Sequence, residues 1–225
     1  LVLARAVKNP RHTRFALIVL GDLRIMQAVI AYYIQSPESR ANSLEPLSSY
    51  YRLLQRAKAT LQRAISLKGL EIEPMIEGKL LLAMVHYLLN AKEMALQTLI
   101  EAREQETTRV IGRVQRLLGR IMADQGHDED ADAYFEQAIQ LCCACELRLD
   151  YARTLHRYGL ALLHRSKVYA SNSQKVVQLQ SQQRAREGYE LGLKHLQEAR
   201  DIFSASHAAY DLTLVELTLA QMKHL

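Results

Sequence analysis

The chain has 225 residues, a formal net charge of +5, 4 Pro and 9 Gly. That length can bury a sizeable core, either as one large domain or as a run of four to six helix pairs, and few Pro and Gly beside abundant Leu, Ala, Gln, Arg and Glu favour helices. No alternating β-branched run lies between turn clusters, and the longest apolar runs, such as Phe15–Leu20 and Leu80–Val85, are too short to span a membrane. Cysteines crowded at Cys142, Cys143 and Cys145 cannot make a disulfide framework, so a cytoplasmic setting is expected. There is no signal-peptide layout, and the start at Leu1 without Met is read as a fragment of a longer protein. The charge is uneven: residues 1–70 carry 11 Lys/Arg against 3 Asp/Glu, a basic third that could face an acidic partner, nucleic acid, a neighbouring domain or only water.

Leu1–Lys8 reads as the tail of a helix stopped at Asn9-Pro10. Thr13 to about Gln35 is one long helix, apolar enough to be buried on more than one side, and Ser36-Pro37-Glu38 ends it. After a loop over 38–46, Pro46 opens a helix to about Lys68, with Tyr32, Tyr33, Tyr50 and Tyr51 packing around the connection. Gly69–Pro74 is a break. Residues 76–89 and 92–106 then form a pair joined at Asn90-Ala91.

The stretch Arg113–Cys145 is the clearest hairpin. Val110, Val114, Leu117, Leu118 and Ile121 share one helical face, as do Ala131, Tyr134, Phe135, Ala138, Ile139 and Cys142. Gly126 can end the first helix in the left-handed conformation, Asp128 can cap the second, and Glu129 and Asp130 suit its first turn. The acidic turn lacks the spaced ligands of a calcium loop. Gly119, Ala131 and Ala138 fall where closely packed helices leave no room for side chains.

These residues resemble a tetratricopeptide repeat, whose pattern runs Trp-x2-Leu-Gly-x2-Tyr, then Ala-x3-Phe. Leu118-Gly119 and Ala131-x3-Phe135 fit, with Gln115 in place of the Trp and Met122 in place of the Tyr. Ala83, Ala95, Leu99 and Ala102 repeat the same steps, and Ala57, Leu61 and Ala64 repeat the second-helix part. A fourth copy starts near Leu147 with Tyr158-Gly159, but its Gly192, Leu196, Ala199 pattern arrives about 21 residues late. The insertion, about residues 166–186, reads as two helices running on and turning at Ser171-Asn172-Ser173 as a protruding arm. A terminal helix runs from Tyr210 to about Lys223.

The fold expected is therefore all-α, a right-handed superhelix (α-solenoid) of antiparallel TPR-like hairpins over 1–225. An enlarged first pair covers 1–70, repeats follow at 75–106, 110–145 and 147–206, and the terminal helix takes 208–225. In tetratricopeptide arrays the first helices line a concave groove. The resemblance places there Arg113, Arg116 and Arg120, then Arg153, His156, Arg157 and His164, and in the second pair Glu77, Leu80, Met84 and Tyr87. Guanidinium forks suit carboxylates and phosphates, so an acidic peptide, a partner protein or an anionic small-molecule effector is the expected ligand. The alternative is that Glu77, Glu146 or Asp150 pairs with these arginines. The groove lacks the Asn residues of the carboxylate-clamp type of repeat.

No HExxH, GxGxxG, Walker A or GxSxG motif occurs, no nucleophile–base pair stands out, and the cysteines are expected to be buried thiols rather than zinc ligands. No cofactor, no metal and no catalysis are expected. The later repeats, LDYARTLHRYGLALL and LQEARDIFSASHAAYDLTLVELTLAQM, are similar to the sensor arrays of bacterial STAND proteins and MalT-like transcription activators. That resemblance implies a regulatory module that binds an inducer or partner and repacks against adjacent domains of its parent chain. A constitutive scaffold is the alternative. Nucleic-acid binding through the basic third ranks last, since it lacks aromatic platforms.

Overall fold

The computed structural model describes residues 10–34, 44–67, 72–103, 108–171 and 178–222, and these are helical with short turns and no strand. The helices are α1 (Pro10–Ile34), α2 (Leu44–Ser66), α3 (Ile72–Leu88), α4 (Lys92–Arg103), α5 (Thr108–Gln125), α6 (Asp128–Ala144), α7 (Arg148–Ser171), α8 (Gln178–Ala205) and α9 (Ala209–Met222). The expected tail at Leu1–Lys8, most of the 38–46 loop and the Asn172-Ser173 turn lie outside the described residues. The chain divides into two compact units, Leu1–Val110 and Ile111–Leu225.

In the first unit α1 packs antiparallel on α2 because Gly21 removes the side chain at the crossing. A Cβ there would come within 2.6 Å of Leu61. Leu17, Ile18, Ile25 and Ala28 meet Leu54, Ala57, Leu61 and Ala64, and Leu81, Leu82 and Val85 of α3 complete the core. Arg14 is buried and donates to the carbonyls of Ala64 (3.2 Å) and Leu67, where the C-terminal end of α2 favours a cation. Arg24 donates to Arg56 O at 3.0 Å and to the Thr60 hydroxyl. Two cations of the basic third are thus bound to α2. Three of the four tyrosines do pack together, with ring centroids 5.5 Å apart for Tyr32 and Tyr50 and 5.4 Å for Tyr50 and Tyr51, and the Tyr50 hydroxyl donates to Leu88 O; the Tyr33 side chain lies outside those described.

Two expectations for this unit are corrected. α1 buries one face only, leaving Phe15, Val19 and Leu23 exposed. Pro10–Tyr32 is also long and apolar enough, by length and composition, to cross a membrane, although no uninterrupted apolar run within it is. Pro74, read as part of a break, sits in the first turn of α3, where a missing N–H costs nothing.

In the second unit α5 and α6 close on Gly119, whose Cβ would lie 3.0 Å from the Phe135 ring. α7 and α8 close on Gly159 and Gly192, each Cβ within 3.0 Å of the other's carbonyl oxygen or nearer. Leu155, Leu163, Leu196, Phe203 and Val215 form the core between α7, α8 and α9. Tyr158 stacks on Phe135 at 4.9 Å on one side and on His195 at 5.2 Å on the other, tying α6, α7 and α8 together.

One turn recurs at four junctions. After α3, α5, α6 and α8 a residue in the left-handed region ends the helix: Asn90 (φ 59), Gly126 (φ 78), Glu146 (φ 55) and His207 (φ 52). In each the next amide closes back on the helix, as in Ala91 N–His86 O (2.8 Å), His127 N–Met122 O (3.0 Å), Leu147 N–Cys142 O (2.9 Å) and Ala208 N–Phe203 O (3.0 Å). Gly126 plays its expected part. Asp128 does not cap α6, since the capping position is His127 without a side-chain bond, and the Asp128 carboxylate is engaged elsewhere.

Candidate functional site

The arginines read as groove-lining are distributed over α5 and α7. Arg116 projects from α5 onto the start of α7, where Nη1 donates to Asp150 Oδ1 (3.2 Å), Asp150 O (3.1 Å) and Thr154 Oγ1 (3.5 Å). Arg113 Nε stands 3.9 Å from the same Asp150 Oδ1. Asp150 is only 6% exposed. Burial by itself would raise its carboxyl, but the charges of Arg116 and then Arg113, with the Arg116 hydrogen bond, outweigh it and hold the group below the usual carboxylate range. Arg116 is therefore an internal ion-pair partner, and pairing with Asp150, the alternative raised by the sequence, is what the structure contains.

α7 meets α9 through a second pair. Arg153 forks onto Asp211, with Nε–Oδ1 at 3.1 Å and Nη2–Oδ2 at 2.8 Å. Beside it His156 is buried, with Nε2 3.3 Å from Thr218 Oγ1. Burial, then the charges of Arg157 and Arg120, depress this imidazole far below the ordinary value, so it is neutral near pH 7. Arg120 and Arg157 are half-buried, and His164 is exposed. Five arginines, Arg113, Arg116, Arg120, Arg153 and Arg157, thus lie around Asp150 and His156, and three of them face the carboxylates of Asp150 or Asp211. Met84, Tyr87, Glu77 and Leu80 belong to α3 in the other unit, where Met84 packs on the first core and Leu80 and Tyr87 are buried.

A third cluster was not singled out by sequence. Arg165 of α7 forks onto Asp132 of α6, both distances 2.8 Å, and its Nε lies 3.0 Å from Asp128 Oδ1. Tyr169 donates to Asp128 Oδ2 at 2.8 Å. The acidic turn read as helix-dipole chemistry therefore holds the far end of α7. α7 and α8 do run on into the expected arm and pack on each other at its base, where Ser166 and Ala185 are buried and a Cβ on Gly188 would meet Ser166 Oγ at 2.8 Å. Most of the arm's other described residues, among them Lys167, Val168, Gln183 and Arg184, are exposed.

Of the cysteines only Cys142 is buried, its thiol pushed up chiefly by burial, whereas Cys143 and Cys145 are exposed. Expected to be buried alike, they differ because Cys143 lies about 100° round the helix from Cys142 and Cys145 lies in the turn after α6. Among the described residues no three of His, Cys, Asp and Glu cluster as metal ligands. In comparisons with known proteins, no family model matches the chain and no curated protein matches it.

Proposed function

We propose that the chain is a non-catalytic, tetratricopeptide-like module in which α5, α7 and α9 are the first helices of successive hairpins and present one continuous binding face. The repeated close approach of Gly21 to Leu61, Gly119 to Phe135 and Gly159 to Leu196 supports this reading, as does the side-by-side order of α5, α7 and α9 through Arg116–Asp150 and Arg153–Asp211. A solenoid of such hairpins buries its core between neighbours and leaves the first-helix face for a partner. The observation that carries the ligand assignment is the basic character of that face, where Arg120 and Arg157 act together on His156.

The ligand is an acidic peptide segment of a partner protein or an anionic effector, and the module belongs to a cytoplasmic bacterial regulator of the STAND or transcription-activator type. The regulatory setting rests on the resemblance of the later repeats alone. Nucleic acid is the weaker reading, because Arg14 and Arg24 of the basic third are bound to α2. The test is fluorescence anisotropy of a labelled glutamate-rich peptide with the wild-type chain and with Arg120→Glu/Arg157→Glu. Saturable binding that weakens with salt and disappears in the variant supports the reading. Binding unchanged in the variant removes these residues from the site. Arg116 is the wrong position for this control, since reversing it would bury two carboxylates together.

A further inference from the structure

α9 is fastened differently along its length. Leu214, Val215 and Thr218 are buried, and Thr218 Oγ1 lies 3.3 Å from His156 Nε2 of α7. The first turn is held by charge, with Asp211 accepting from both arms of the Arg153 fork. Arg116 and Arg165, paired with Asp150 and Asp132, keep 14% and 15% of their side chains exposed, whereas Arg153 keeps 40%. Taking the carboxylate from an enclosed guanidinium leaves an uncompensated charge in the interior. Taking it from the half-open Arg153 costs little, because water and a second anion can reach the fork and part-exposed ion pairs contribute little to begin with. Arg157 follows Arg153 by one turn of α7, so the fork lies beside a charge assigned above to the ligand.

We propose, resting on the acidic-ligand reading above, that Asp211 is a built-in competitor for the ligand: a carboxylate of the bound acidic peptide takes over the Arg153 fork, and the first turn of α9 comes away while the rest of the helix stays packed. One carboxylate replaces another, so the fork keeps its planar, two-bonded geometry throughout. The displaced Asp211 is not stranded either, since it sits in the first turn of α9, where the helix dipole favours a negative charge in water. While Asp211 is bound, the face is weaker towards acidic ligands than its arginines alone would make it. Ligand binding is thereby coupled to the fastening of α9.

Anisotropy of the labelled glutamate-rich peptide tests this on the whole chain with Asp211→Asn. Glu216→Gln, at an exposed position of the same helix, controls for the loss of one negative charge. Asp211→Asn should lower Kd roughly two- to fivefold, the worth of a part-exposed ion pair that no longer competes, and Glu216→Gln should lower it by less. In an Arg153→Gln background Asp211→Asn should change nothing. Amide exchange by NMR uses wild type alone and so stands even if the substitution disturbs α9. Saturating peptide should speed exchange at Leu212, whose amide bonds to Ala208 O, and leave the Thr218 amide as it was. Equal affinity of Asp211→Asn and wild type, an equal gain in Glu216→Gln, or unchanged exchange at Leu212 overturns the proposal and leaves the acidic-ligand reading standing. A peptide that binds none of these proteins removes that reading and the proposal with it.

Discussion

Asp150→Ala separates a structural arginine from a ligand-binding one. Asp150 is nearly inaccessible and carries the main charge contact of Arg116, whose guanidinium would keep only the residue-150 carbonyl and the Thr154 hydroxyl. Removing one member of a buried pair costs about 3–5 kcal/mol, and the surviving neutral acceptors place this case near the lower end, about 3 kcal/mol. For a unit of this size that corresponds to a melting shift of roughly 10 °C. Arg116→Met should cost less, about 2 kcal/mol, because Asp150 keeps Arg113 at 3.9 Å. The double variant should fall short of the sum by about 1–2 kcal/mol. Urea denaturation of the four proteins of this cycle gives the answer. The folded carboxyl is held low, so its contribution is full above the unfolded value near pH 4 and fades as pH falls through the folded value; the wild-type advantage should vanish there. Strict additivity, with Asp150→Ala costing less than about 0.5 kcal/mol, would refute the assignment of Arg116 to the interior.

Gly159→Ala should destabilise by about 1–3 kcal/mol, since its Cβ would meet Gly192 O at 2.8 Å and backbone cannot yield as a side chain can; thermal melts check this. His207 holds φ 52 without being Gly, so His207→Gly should stabilise by about 0.5–1 kcal/mol, read in the same melts. The depressed His156 makes the fold acid-sensitive. The unfolded imidazole takes up its proton first, so stability is full above about pH 6.5 and falls by up to about 1.4 kcal/mol per pH unit below it, until the folded value is reached. His86 and His195, both lowered mainly by burial, act in the same direction. His156→Gln should flatten the slope of melting temperature between pH 6.5 and about pH 5. Arg165→Met, leaving Asp128 and Asp132 unneutralised, should cost about 1.5–3 kcal/mol and raise amide exchange near the end of α7 first.

How far the sequence could be read depended on how local the determinants were. The α5–α6 hairpin was legible because Gly119, Ala131, Phe135 and Ala138 lie within one short stretch and the contact they make, Gly119 on Phe135, joins the centres of two adjacent helices. The same contact between Gly21 and Leu61 was half-seen. Ala57, Leu61 and Ala64 matched, but the enlarged connection moved the glycine outside the repeat spacing, although Leu20-Gly21 has the wording of Leu118-Gly119. Glu146 and His207 end their helices in the left-handed region, yet neither is a residue type that announces it. Asp150 was one of three acidic partners the sequence offered for the arginines, and Asp211 was not among them. Asp150 and Asp211 come from other helices, and a periodic pattern gives the face of a side chain without giving what lies opposite. Asp128 was misassigned for the same reason: a local cap was the nearest explanation, and Arg165 and Tyr169 are more distant in sequence.

The most direct measurement of the central claim is a thermal-shift panel on the whole chain, spanning acidic peptides, phosphorylated metabolites, nucleotides and oligosaccharides, repeated on Arg120→Glu/Arg157→Glu. A ligand that binds only the folded chain, at a hundred times its dissociation constant, stabilises by about 2.7 kcal/mol, several degrees for a chain of this length. Such a shift is expected for an anionic member of the panel, with its loss in the variant, each shift being read against that protein's own unliganded melt. Stabilisation by neutral ligands alone, or an anion shift that survives both charge reversals, would contradict a basic first-helix face as the binding site.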